Sequence, residues 1–239
     1  MVTANPPQSP FSKGGGSGKD AQPGVLQRMC PSWWVWSKMV PTMPTPPRDL
    51  VGYGPRPPHA RWPGGARLAL SFVLNVEEGA ERTPLLGDDT AETYGGEFPL
   101  AAKPAGARHL SMESLFDYGA RAGVWRVLRL FESRGLPLTA FATGLALAQH
   151  APLARHFKAS AHEVAGHGWR WIDYAELPRD EERVHIARTV EAIERLVGRR
   201  PVGWYTGRRS PHTRALLGEL GGFWYDAESY ADDLPYYVW

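Results

Sequence analysis

Among 239 residues there is a single cysteine, Cys30, which excludes an internal disulfide framework and fits a reducing compartment. No run approaches the roughly 18 consecutive apolar residues of a membrane-crossing helix. Nothing resembles the charged start, apolar stretch and small-residue cleavage site of a secretory leader, so a cytoplasmic protein without a membrane partner is expected. A surplus of one charge is missing too, with 27 Lys and Arg facing 25 Asp and Glu. What basicity there is sits in residues 1–47, which hold four basic side chains and one acidic, whereas the remaining 192 hold 23 and 24. Without a basic cluster in the body of the chain there is no electrostatic footprint for phosphates, and no nucleic-acid partner is expected. An apolar share of 43% is enough for a sizeable core.

Residues 1–47 contain nine of the 22 prolines and the run Gly14-Gly15-Gly16-Ser17-Gly18, with no apolar periodicity. Such a segment is expected to be a disordered tail. Its cluster Trp33-Trp34-Val35-Trp36 reads either as a docking motif or as upstream text preceding a start at Met39 or Met43. Residues 48–239 read as the folded domain.

From Arg67 the pattern alternates between short apolar runs and helical stretches. Strands are expected at residues 67–76, 138–143, 162–167, 202–206 and 223–226. A loop of about thirty residues comes after the first of them. Val124, Val127, Leu128 and Phe131 mark one helix stopped by Gly135; residues 144–160 form another. Ile186, Val190, Ile193 and Val197 share the face of a third, closed by Gly198, and a fourth begins near Pro211. Such alternation predicts an α/β fold with a parallel sheet, most simply a (β/α) barrel. Only five βα units can be counted, and the end Leu234-Pro235-Tyr236-Tyr237-Val238-Trp239 has no polar terminus, so the barrel is expected to be incomplete at its C-terminus.

In parallel α/β proteins functional groups gather at the C-terminal ends of strands. Glu77-Glu78, His167, Thr206-Gly207-Arg208 and Asp226-Ala227-Glu228 meet that rule. Adjacent carboxylates can divide labour, because like charges push their pKa values apart; an exposed acidic turn is the other reading. His167 can be a metal ligand, a general acid or a hydrogen-bonded core residue. His162, five residues earlier, points to the opposite face and is taken as structural. Arg208 either grips an anionic or carbonyl-rich substrate with its planar guanidinium or lies on the surface. Asp232-Asp233 reads as a solvated loop or a binding element.

Together these positions resemble the polysaccharide deacetylase (NodB-like) superfamily. Its Thr-Phe-Asp-Asp-Gly motif is represented by Asn75-Val76-Glu77-Glu78-Gly79, and its histidine motif by Ala161-His162-Glu163-Val164-Ala165-Gly166-His167-Gly168-Trp169-Arg170-Trp171. In the superfamily the second Asp and two histidines four apart bind a divalent metal; the counterparts here are Glu78, His167 and Trp171. An indole nitrogen is a donor only. Two ligands are fewer than the three usual for a catalytic zinc, so no metal cofactor is expected.

The altered set resembles that of the PuuE-type allantoinases, a branch that opens the hydantoin ring of allantoin. Further matching stretches run through Arg48–Gly54, Ser111–Leu115, Gly119–Trp125, His167–Tyr174, Gly203–Arg208 and Asp232–Tyr236. The resemblance implies a small-molecule substrate, with Glu77, Glu78, His167 and Arg208 catalytic and Trp171, Trp204 and Asp233 at the substrate. It also implies further strands and a late histidine motif beyond Trp239. The alternatives are a metal-dependent deacetylase of N-acetylated sugars and a non-catalytic module that stacks a sugar or partner on the nine aromatics of residues 204–239. Self-association is left open.

Overall fold

The structure, a computed structural model, describes residues 48–96 and 101–237. The tail read in residues 1–47, with its tryptophan cluster, lies outside the described residues. The chain divides into two compact units, Met1–Pro57 and Pro58–Trp239. The described end of the first is a turn in which Asp49 Oδ1 accepts from the amides of Val51 and Gly52 at 2.9 and 3.0 Å.

In the second unit five strands form one wholly parallel sheet in sequence order: β1 (Val73–Val76), β2 (Thr139–Ala142), β3 (Glu163–Gly166), β4 (Gly203–Trp204) and β5 (Tyr225–Asp226). Parallel neighbours require crossovers, and helices supply them. α1 (Leu110–Tyr118) and α2 (Val124–Glu132) join β1 to β2, and α3 (Gly144–Gln149) and α4 (Ala151–Ala159) join β2 to β3. α5 (Arg179–Val197) and α6 (Thr213–Leu220) make the last two connections. All-parallel strands in sequence order are the arrangement of the expected (β/α) barrel. The sheet is not closed among the described residues, and β1 and β5 are its edges.

The helices pack on one face through Leu128, Leu147, Leu153, Phe157, Ile193 and Val197, all buried against Ala140, Ala142 and Val164 of the sheet. Small residues on the strands let the helices approach closely, and each large side chain fully buried contributes about 1.5–3 kcal/mol. The stripe Ile186, Val190, Ile193 and Val197 is buried along α5 as its spacing requires, and Gly198 ends the helix at φ 81°. That left-handed angle favours glycine.

Three expectations shift. Only Val73–Val76 of the long first strand is paired, because the register sets Val73 opposite Thr139 at the start of β2; Leu68, Leu70 and Phe72 stay exposed. The helix expected over residues 144–160 breaks at His150. Pro152, lacking an amide proton, opens α4, and His150 Nδ1 accepts from the Leu153 amide at 3.3 Å. α1 and the π-helical segment Gly119–Gly123 lie between the long first loop and α2. The first buries only Met112, and its N-cap is His109 rather than a usual capping residue, so its sequence carries little helix signal.

Candidate active site

Val76, Ala142, Gly166, Trp204 and Asp226 align across the five strands. Their successors therefore emerge in one row at the C-terminal edge, and Glu77, His167 and Tyr205 belong to that row. The backbone ladder continues past the strands, with the His167 amide donating to Ala142 O at 3.0 Å and the Tyr205 amide to Gly166 O at 2.9 Å. Gly166 is required here: a Cβ would collide with the Trp204 indole crossing over it.

His167 is buried and Glu77 nearly so. His167 Nε2 is 2.8 Å from Glu77 Oε1, and His167 Nδ1 donates to the backbone carbonyl of Tyr205. A carbonyl only accepts, so Nδ1 carries a proton. The Nε2–Oε1 link then holds one more, either on the imidazole or on the carboxyl, and the two groups form a single proton-sharing unit. Asn75 Nδ2 donates to the same Oε1 at 3.0 Å. Oε2 of Glu77 is left for the cavity. The Tyr205 ring stacks on the imidazole, with centroids 5.3 Å apart and planes 11° from parallel, which fixes its orientation.

Across the cavity Arg208 lies over the Trp171 ring at 4.1 Å and the Tyr94 ring at 5.3 Å. Its Nη1 donates to Glu92 Oε2 at 2.9 Å. The loop carrying Trp171 is held by the buried Tyr174 hydroxyl, which accepts from the Trp169 amide at 2.8 Å; burial pushes that phenol up. Arg170 ties the same loop to the one after β1 through Asp88, with Nη1 to Oδ1 at 3.0 Å; burial pushes the Asp88 carboxyl up, but the Arg170 pairing and the Thr83 amide together hold it below its ordinary value. The cavity measures about 1040 Å3 and is lined by Glu77, His167, Trp171, Tyr205 and Arg208 among others. That is the upper end of small-molecule clefts, about 300–1,000 Å3.

Three residues expected at the site lie elsewhere. Glu78 comes directly after Glu77 and so turns to the other side, where its carboxylate lies against Gly119 so closely that a Cβ there would collide with Oε1. Its Oε2 accepts from the Glu77 amide at 3.1 Å, and burial pushes its carboxyl up. Trp204 is fully buried on the helix-covered face with Ile186, Val190, Leu216 and Leu217, its Nε1 donating to Thr206 Oγ1 at 2.7 Å. Asp233 is exposed on the C-terminal stretch and does not line the cavity.

The donor set does not fit a divalent metal held as the superfamily holds it. Glu78 faces away from His167, Trp171 offers no lone pair, and among the described residues no group of three or more His, Cys, Asp or Glu could hold a metal ion.

The strand-end rule misses Asn75, Tyr205 and Glu92. Two-residue periodicity sets Asn75 on the face of Glu77, and Tyr205 is the next residue after β4; both are legible in principle. Glu92 sits in a loop and carries no signal.

The sequence profile of the polysaccharide deacetylase family matches residues 108–221. The chain carries a polysaccharide deacetylase (NodB-like) domain. Among solved structures, a PuuE allantoinase is 51% identical with a TM-score of 0.76, covering 80% of this chain and 64% of its own. A probable polysaccharide deacetylase from Pseudomonas aeruginosa PAO1 is 52% identical with a TM-score of 0.75, covering 80% and 63%. A Schizosaccharomyces pombe protein bearing a provisional polysaccharide deacetylase name is 37% identical over 202 residues, 80% of this chain and 62% of its own. The chain thus spans somewhat under two thirds of the length of these three relatives. No helix among its described residues is long and apolar enough to cross a membrane.

Proposed function

We propose that the protein hydrolyses a cyclic amide C–N bond, opening the hydantoin ring of (S)-allantoin to allantoate. The observation that carries this reading is the Glu77–His167 proton-sharing pair in a cavity whose wall also carries an indole, Trp171, where the superfamily's metal site has a histidine. Likeness to a solved allantoinase, 51% identical, supports it.

The reaction needs an activated water, a stabilised oxyanion and a proton for the leaving nitrogen. Glu77 Oε2, with Oε1 engaged by His167 and Asn75, takes a proton from water as its oxygen adds to the ring carbonyl carbon. Arg208 offers its remaining N–H groups to the oxyanion, and Trp171 walls the ring. The proton held by the Glu77–His167 pair passes to the ring nitrogen as the C–N bond breaks. The new carboxyl then ionises.

A metal-dependent deacetylase is the second reading, favoured by the names of the Pseudomonas aeruginosa and Schizosaccharomyces pombe relatives. Ring opening of allantoin by the purified chain, with and without a chelator, decides between them. Turnover indifferent to the chelator is expected. No action on allantoin, with added metal bringing out deacetylation of an N-acetylated sugar, would overturn the proposal.

A further inference from the structure

Both guanidiniums that line the cavity already have a carboxylate partner: Arg208 has Glu92, and Arg82 has Glu176. The lining holds four carboxylates, Glu77, Glu92, Asp173 and Glu176, against those two guanidiniums and the imidazole of His167. Neither arginine presents an uncompensated charge to a permanent anion, although only Nη1 of Arg208 is taken by Glu92 and its other N–H groups can still serve a carbonyl and the transient oxyanion formed from it.

Glu92 is suited to that task. It is 7% exposed, and its two oxygens divide the work: Oε1 accepts from the amides of Thr93 and Tyr94 at 3.0 and 2.9 Å, and Oε2 takes Arg208 Nη1. Stacking on Trp171 holds the guanidinium in place, so Glu92 already offsets its charge when a ligand arrives.

We propose that Glu92 sets the charge this cavity accepts: by compensating Arg208 it lets the cavity hold an uncharged cyclic amide and release the carboxylate that ring opening creates. The proposal rests on the ring-opening reading above. Hydrolysis converts a neutral carbonyl that Arg208 can polarise into an anion. A bare guanidinium would bind that anion through two parallel hydrogen bonds and retain the product. With Glu92 alongside, the anion gains little from Arg208 and faces a second carboxylate.

The division between the oxygens makes a clean test. Glu92→Gln keeps a carbonyl oxygen for the two loop amides but turns an NH2 group toward Nη1, so the turn survives and the ion pair does not. Hydantoin, a neutral ring, and hydantoate, its ring-opened anion, are titrated calorimetrically into the purified chain and into E92Q. The unsubstituted chain is expected to favour hydantoin. In E92Q the ratio should move toward hydantoate by about tenfold or more, the size of one charge-assisted hydrogen bond.

An unchanged ratio with both affinities reduced overturns the proposal, leaves Glu92 as a loop brace, and leaves the ring-opening reading intact. Binding of neither ligand by the unsubstituted chain overturns that reading and the proposal with it. If E92Q does not fold, Arg208→Gln asks the converse question. With Glu92 unopposed, hydantoate affinity must fall further than hydantoin affinity, and an equal loss of both overturns the proposal.

Discussion

The two ends of β3 each carry a histidine facing a glutamate, and the two clusters have become different things. At the C-terminal edge, His167 Nδ1 is bound to the Tyr205 carbonyl and Nε2 reaches Glu77 at 2.8 Å, with one carboxylate oxygen left toward the cavity. At the N-terminal edge, His162 Nδ1 accepts from the Leu138 amide at 3.2 Å, so Nε2 carries the proton. That Nε2 lies 3.6 Å from Glu132 Oε1, an oxygen that His156 already meets at 2.7 Å. The same residue types five positions apart thus serve a proton-sharing pair at one edge and a backbone cap at the other. What differs is the backbone group each Nδ1 meets, and whether a carboxylate oxygen remains open to the cavity.

Exchanging the glutamates tests this contrast most severely. On the proposed mechanism Glu77→Gln removes the base and should lower kcat by about 10²–10⁴-fold. Glu132→Gln should leave kcat alone and lower stability by no more than about 1 kcal/mol, because its pair with His156 is partly solvated. Steady-state kinetics and thermal melts on both variants check the pair. Equal kinetic losses would erase the distinction between the edges.

The next effect belongs to Arg208, which is stacked on the cavity wall. Arg208→Ala should lower kcat/KM by about 10–100-fold, the range of one charged hydrogen bond in a transition state. A normal kcat/KM would remove Arg208 from the mechanism.

Third comes the histidine pair itself. His162→Ala leaves the Leu138 amide without its acceptor in a buried setting, costing about 1–3 kcal/mol in denaturant melts while turnover per folded molecule is unchanged. His167→Ala should do the opposite, with kinetics collapsing more than stability. A kinetic defect in the His162 variant would show that the N-terminal edge communicates with the cavity.

The contrast also marks how far the strand pattern alone reaches. Counting strands and reading the residues just past each one points to Glu77, His167 and Arg208, since strand ends in a parallel sheet converge whatever the exact register. Trp204, which the family resemblance and not the strand pattern set at the substrate, is misplaced. It is the last residue of β4 rather than the first beyond it, and the alternation of faces turns it onto the helices. α1 escapes the pattern because almost nothing of it is buried. Glu92 is invisible in sequence because only the folded loop brings it to Arg208, 116 residues away.

The smallest expected effect separates two neighbours in sequence, Glu77 and Glu78. Burial against Gly119 pushes the Glu78 carboxyl above its ordinary value, with the amides of Glu78 and Glu77 opposing it. A carboxyl with a folded pKa above the unfolded one favours its neutral form in the fold. The stability it contributes is fully present below the unfolded value and is lost as pH rises through the folded one. Glu78→Gln fixes a neutral group of the same shape that still offers an oxygen to the Glu77 amide. Its melting temperature should therefore exceed that of the unsubstituted chain by a few degrees at pH 7 and match it near pH 4. Buried Glu81 and Glu228, shifted in the same direction, keep part of the pH slope in both proteins. A Glu78→Gln variant less stable at pH 7 would mean that the two amides outweigh burial and hold Glu78 ionised.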